Sequence, residues 1–142
     1  APVVSSGLPQ EKDTDGFPVG THPAYNPHPM QGWGPNFMSR LTADTVDMGI
    51  IHKAVTITGP EAIVCSQDLA KKEGIFVGIT SGATFAGALK ICQEAPAGSV
   101  VLCMLPDTGE RYLSTDLFDG VPDVMSDAER NIAASTPNYR LK

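Results

Sequence analysis

Residues 74–90 read GIFVGITSGATFAGALK, and the change of character in the middle of this stretch decides the fold. Ile75 to Ile79 is a short apolar run suited to a buried strand. From Ser81 the pattern becomes helical, running through SGATFAGALKICQEA and stopping before Pro96, which disfavours helix at the residue ahead of it. Ser81 is placed to cap that helix, since a serine oxygen accepts an otherwise unpaired N–H of the first turn.

The same alternation extends to both sides. Upstream, IIHKAVTIT (Ile50 to Thr58) is β-branched and mostly apolar and reads as a strand. GPEAIVCSQDLAKKEG follows as a helix, with Pro60 in the first turn, Ala62, Ile63, Leu69 and Ala70 at helical spacing, two lysines near the end and Gly74 as the stop. Downstream, SVVLCML (Ser99 to Leu105) is a third strand. The order β-α-β-α-β with short links predicts an α/β fold: a partial three-layer structure whose parallel sheet carries flanking helices.

The flanking regions differ in kind. Residues 1–36 hold seven of the twelve prolines and read as an extended Pro/Gly-rich arm, because each proline fixes φ and removes a donor. The arm is either a loose tail or a segment lying on a surface, anchored by Phe17, Tyr25, Trp33 and Phe37. Residues 37–118 form the α/β lobe. Residues 119–142 form a polar, acidic tail with one weak helix.

Composition narrows the function classes. The 142 residues make about one domain. A formal net charge of -6 argues against nucleic acid as a partner, and no apolar run approaches the roughly 18 residues of a membrane span. Cys65, Cys92 and Cys103 have neither metal nor redox spacing and read as buried free thiols of a reducing compartment. His22, His28 and His52 lack ligand-spaced partners, so no metal site is expected. The start APVV, without Met, fits either a mature product left by removal of a targeting peptide or a fragment of a longer chain; on the first reading an organelle interior (plastid or mitochondrion) is the expected location.

Beyond the third strand the chain reads LPDTGERYLST, Leu105 to Thr115. Leu105 to Gly109 matches the LPxTG sorting signal, but the ERYLSTDLF that follows is neither hydrophobic nor basic, so the processing reading fails. A loop after a parallel strand is instead where open α/β sheets place ligands.

Three ordered motifs, HPMQGWGPNF (His28 to Phe37), GIFVGITSGATFAGALK and LPDTGERYLST, together resemble the C-terminal part of cysteine synthase (O-acetylserine sulfhydrylase). That family consists of pyridoxal-phosphate enzymes of fold type II, the tryptophan-synthase-β type. The resemblance runs from about residue 28 to residue 118, with weaker similarity in APVVSSG. It implies that Thr108 stands where the family's hydroxyl faces the pyridine nitrogen of the cofactor. A neutral hydroxyl there moderates the electron sink and favours β-elimination and replacement. Gly32 and Gly34 match the leading glycines of the family's QGIGAGF loop beside the substrate, and Gly78, Ser81 and Gly82 match its GISSG turn. Glu110, Arg111 and Tyr112 match a segment read as structural.

The departures are as specific. Trp33, Pro35 and Asn36 replace small residues of the glycine loop and would crowd a substrate. The six lysines (Lys12, Lys53, Lys71, Lys72, Lys90, Lys142) lie in none of the contexts of the family's Schiff-base lysine, and the phosphate-binding glycine loop has no counterpart. The resemblance therefore implies no catalytic residue in this chain alone, and no cofactor unless another chain completes the site with pyridoxal phosphate. Two functions are expected from it. One is a non-catalytic structural or docking subunit, with other protein chains of a larger assembly as partners. The other is one chain of a split or processed cysteine synthase. A third reading, a small-anion module using the Ser81 helix start, follows from the helix dipole alone.

Overall fold

The computed structural model describes residues 2–135. Ala1 of the arm and residues 136–142 of the tail, Lys142 included, lie outside the described residues.

Two helices carry the centre of the molecule. Helix α2 (Gly59–Asp68) begins at a reciprocal cap: Glu61 N–H donates to the Thr58 hydroxyl (3.3 Å), while Thr58 N–H donates to the Glu61 carboxylate (2.7 Å). Pro60 sits in the first turn, as its spacing predicts. The helix runs on into a π-helical turn, Leu69–Glu73, and stops at Gly74, whose φ of 70° lies in the left-handed region that favours glycine. Helix α3 (Ile79–Glu94) starts two residues before Ser81, with Gly78 as its cap residue. Ser81 is thus not the cap; it lies inside the first turn, and its hydroxyl serves another partner described below.

These helices meet through small residues. Ala62 of α2 and Ala83 of α3 are fully buried, and Met30, Ile79 and Leu117 complete the cluster. Full burial contributes on the order of 2 kcal/mol for each of those three larger side chains. Gly82 permits the close approach, since a Cβ there would lie 2.2 Å from the Ala62 carbonyl oxygen. A second cluster joins Val3, Met38 and Ala43, with Val4 and Tyr25 packed against it. Ala43 belongs to α1 (Arg40–Asp47), capped by Ser39, a helix that the apolar pattern does not signal because only one of its eight residues is buried.

The strand-like segments do not pair into a sheet among the described residues. Residues 50–58, 75–79 and 99–105 form no ladder among the described residues, whose only β pairings are the isolated bridges Lys12–Pro18 and Val77–Thr108. A strand exists only with a neighbour to bond to, and residues 50–58 and 99–105 meet none here. Val100 and Leu102 are each 97% exposed, a placement that suits such residues only when another layer covers them.

The arm is ordered by side chains rather than by a sheet. Buried Gln10 donates to the carbonyls of Glu11 and Val19 and accepts from Met38 N–H. Buried His22 accepts from Ala24 N–H at Nδ1, its Nε2 lies 3.1 Å from the Leu8 carbonyl, and its own N–H donates to Asn36. Of the aromatic anchors, Tyr25 packs into the second cluster and Phe17 lies against the Arg40 guanidinium, 5.8 Å from the ring centroid. Trp33 and Phe37 line a cavity of about 380 Å³ with Val4, Met38 and residues 54–57. In the tail, Ser126 and Glu129 cap α4 (Asp127–Ser135) reciprocally. No helix among the described residues is long and apolar enough to cross a membrane.

Candidate functional site

The site grows from the junction of three elements: the end of the 75–79 segment, the start of α3, and the turn beginning at Asp107. Gly78 N–H donates to the Asp107 carbonyl (3.4 Å), and Gly109 N–H donates to the Phe76 carbonyl (3.3 Å), so the two chain segments grip each other on both sides of Thr108. A short 3-10 helix, Gly109–Tyr112, follows and brings the Tyr112 ring back over the junction. From below, buried Ser66 of α2 donates to the carbonyl of Val77 (2.8 Å) and lies 3.2 Å from that of Gly78.

The junction is filled by its own side chains. Tyr112 donates to the Asp107 carboxylate at 2.5 Å, and Ser81 lies 3.3 Å from the other carboxylate oxygen. Burial first, and then the Asp107 carboxylate, push the Tyr112 phenol above its ordinary value. A Cβ on Gly78 would fall 2.2 Å from the Tyr112 ring, and one on Gly109 would fall 2.7 Å from the Phe76 ring.

The residues singled out by sequence therefore divide into two groups. Gly78, Ser81 and Gly82 are buried, and their side-chain positions face protein: Tyr112 and Asp107, Asp107, and α2 respectively. Any contact of these three with a ligand would be through backbone. Thr108 and Gly32 are exposed and Gly34 is half-buried. The Thr108 hydroxyl holds the Glu110 carboxyl below its usual range. Gly32, in the 3-10 turn Gln31–Trp33, comes against Thr80, with its Cβ position 3.7 Å from the hydroxyl. Gly34 lies against the His28 ring, whose buried Nδ1 has no hydrogen-bond partner among the described residues; burial pushes the His28 pKa down.

Two further expectations change. The Ser81 hydroxyl is turned to the Asp107 carboxylate, 3.3 Å away, rather than to an external anion. The cysteines are free, but none is fully buried: Cys92 is exposed, while Cys65 and Cys103 are half-buried and held toward the protonated thiol mainly by desolvation. Among the described residues no three His, Cys, Asp or Glu side chains converge as a metal would require. Asp107, Ser66 and Thr80 escape sequence reasoning. The one available signal was Asp107, a carboxylate directly after an apolar strand-like run.

Residues 3–107, well over half of the chain, match the family profile described as pyridoxal-phosphate dependent enzyme, and the chain belongs to that family. Within it the chain is cysteine-synthase-like, with the α/β fold of type II. It is 50% identical to the O-ureido-L-serine synthase of Streptomyces lavendulae over 73% of this chain and 31% of that protein. It is 38% identical to cysteine synthase A of Salmonella typhi over 83% of this chain and 32% of that one. A crystal structure of a variant O-ureido-L-serine synthase bound to O-ureido-L-serine superposes with a TM-score of 0.66 at 46% identity, covering 80% of this chain and 34% of the other. The chain thus spans about a third of the length of the relatives it matches.

Pyridoxal phosphate is the group this family implies. The residues present fit one edge of it: Thr108 offers an exposed hydroxyl at a pinned turn, suited to a ring nitrogen. Toward the phosphate, Lys53, Lys72 and Lys90 are committed elsewhere, paired with Glu94, Asp68 and Glu61.

Proposed function

We propose that residues 2–135 form the ring-nitrogen side of a pyridoxal-phosphate site in an enzyme that replaces the β-substituent of a small amino acid. The relatives' names place O-acetylserine-type and O-ureidoserine-type substrates in the same class. The observation that carries this reading is the locked turn, in which Thr108 stands exposed between two backbone clamps. Pyridoxal phosphate, when bound, is an electron sink for bonds around the α-carbon of an amino acid. This chain's part is positional. Thr108 holds the ring nitrogen through a neutral hydroxyl, and the Gly32 edge borders the substrate. The Schiff-base lysine and the phosphate loop come from polypeptide outside these residues, on the same or another chain.

A second reading is favoured by a different observation. Val100, Leu102 and Met104 are strongly exposed, and Phe17 and Trp33 of the arm are half exposed, so the chain offers apolar surface to partners. On this reading it is a non-catalytic structural subunit, a pseudoenzyme docked in a larger multi-subunit assembly, with an organelle interior as its place of work. Gentle isolation of the native protein, intact-complex mass spectrometry and a visible spectrum separate the two. Stoichiometric pyridoxal phosphate, with weakened binding in Thr108→Ala, is the result expected of the enzyme. A colourless complex of unrelated subunits would sink the enzyme reading and leave the structural one.

A further inference from the structure

Asp107 sits at the centre of the site junction, yet neither reading above gives it a task. Its two carboxylate oxygens engage two different elements: one accepts from the Tyr112 hydroxyl (2.5 Å), the other lies 3.3 Å from the Ser81 hydroxyl at the start of α3. Its carbonyl oxygen accepts from Gly78 N–H (3.4 Å) and faces the Ser81 hydroxyl at 3.3 Å. The absence of a side chain at Gly78 makes the room, since a Cβ would lie 2.5 Å from the Asp107 carboxylate.

We propose that Asp107 is a positioning residue: by bridging the Ser81 hydroxyl of α3 to Tyr112 it sets the direction in which the adjoining Thr108 presents its hydroxyl. Thr108 follows directly in the chain, and Gly109 is tied to Phe76 on its far side. With both neighbours held, its backbone has little freedom to turn the hydroxyl elsewhere. The positioning of Thr108 rests on the cofactor reading proposed above, whereas the clamp itself does not.

The test uses the native complex carrying Asp107→Ala, Asp107→Asn or Tyr112→Phe. Amide hydrogen exchange of residues 106–112 is compared with that of α2, and the visible cofactor band is recorded in parallel. Asp107→Ala is expected to speed exchange in 106–112 by roughly tenfold or more while α2 is unchanged, the size expected for losing hydrogen bonds to a charged group. Asp107→Asn, which keeps the shape and one of the two acceptor oxygens, is expected to restore part of the protection. Unchanged exchange in Asp107→Ala, or equal loss of protection in α2, overturns the clamp. A cofactor band weakened in Asp107→Ala and recovered in Asp107→Asn supports the positioning of Thr108, and a band indifferent to Asp107→Ala overturns it. Should Asp107→Ala fail to fold, Tyr112→Phe breaks one arm of the bridge and is read by the same two measurements. A colourless wild type overturns the cofactor reading instead, and the exchange result then decides the clamp alone.

Discussion

Gly78 shows how little room the junction leaves. A methyl group there would overlap the Tyr112 ring at 2.2 Å and the Asp107 carboxylate at 2.5 Å, so the 2.5 Å bond between those side chains could not keep its geometry. Overpacking of this kind typically costs about 1–3 kcal/mol. Gly78→Ala is expected to lower the thermal midpoint by several degrees and to bring the Tyr112 phenol back toward its ordinary value of 10.0, read by ultraviolet titration. An unshifted phenol in a folded variant would show that the ring is held by something other than this contact. Resemblance of GITSG to the family's turn made Gly78, Ser81 and Gly82 legible as special positions. Their commitment to packing was not, because Tyr112 and Asp107, and for Gly82 the Ala62 and Ser66 of α2, lie well away in sequence.

Helix α2 is the element whose start can be tested most directly. Its cap is Thr58 with Glu61, and Lys90 of α3 joins the same carboxylate, linking the two helices at the surface. Thr58→Ala removes the acceptor for Glu61 N–H and is expected to cost about 1 kcal/mol, measured by denaturant titration. Glu61 also gives the element a pH dependence. Its carboxyl is lowered from 4.5 to about 2, first by Lys90 and then by the Thr58 amide and hydroxyl. A carboxyl depressed in the folded state stabilises the fold wherever it is ionised, so its contribution is complete above pH 4.5 and is lost as pH falls toward 2. Across that window the wild type should lose stability more steeply than Glu61→Gln. Parallel curves would remove Glu61 from the account. The existence, type and approximate ends of α2 and α3 were readable locally, because spacing, Pro60 and Gly74 are local signals. Helix α1 was not, because most of its residues face solvent.

At the scale of the whole molecule the dominant fact is apolar surface without a cover. Val100 and Leu102, each 97% exposed, and Met104 alternate along a segment that pairs with nothing among the described residues. Such a segment is a template for pairing with another chain. The isolated polypeptide is therefore expected to associate as its concentration rises, followed by sedimentation velocity, and Val100→Lys with Leu102→Glu to reduce that association. A wild type that stays monomeric throughout the micromolar range would show that these segments find a cover within the chain. Both proposed functions need this surface covered, and they differ in what covers it.

What the sequence determined by itself is what neighbours in the chain decide: the two central helices from spacing and Pro60, the stop at Gly74, and family membership from three ordered motifs with their characteristic turns. Tertiary structure alone decided the rest. It set the Asp107 carboxylate between Ser81 of α3 and Tyr112, filled the hollows at Gly78 and Gly82 with side chains and backbone from elsewhere, and left residues 50–58 and 99–105 unpaired among the described residues. The reason is physical: a helix bonds to itself, whereas a strand, a bridging carboxylate and a close approach each exist only through a partner that lies far away in the sequence or outside it.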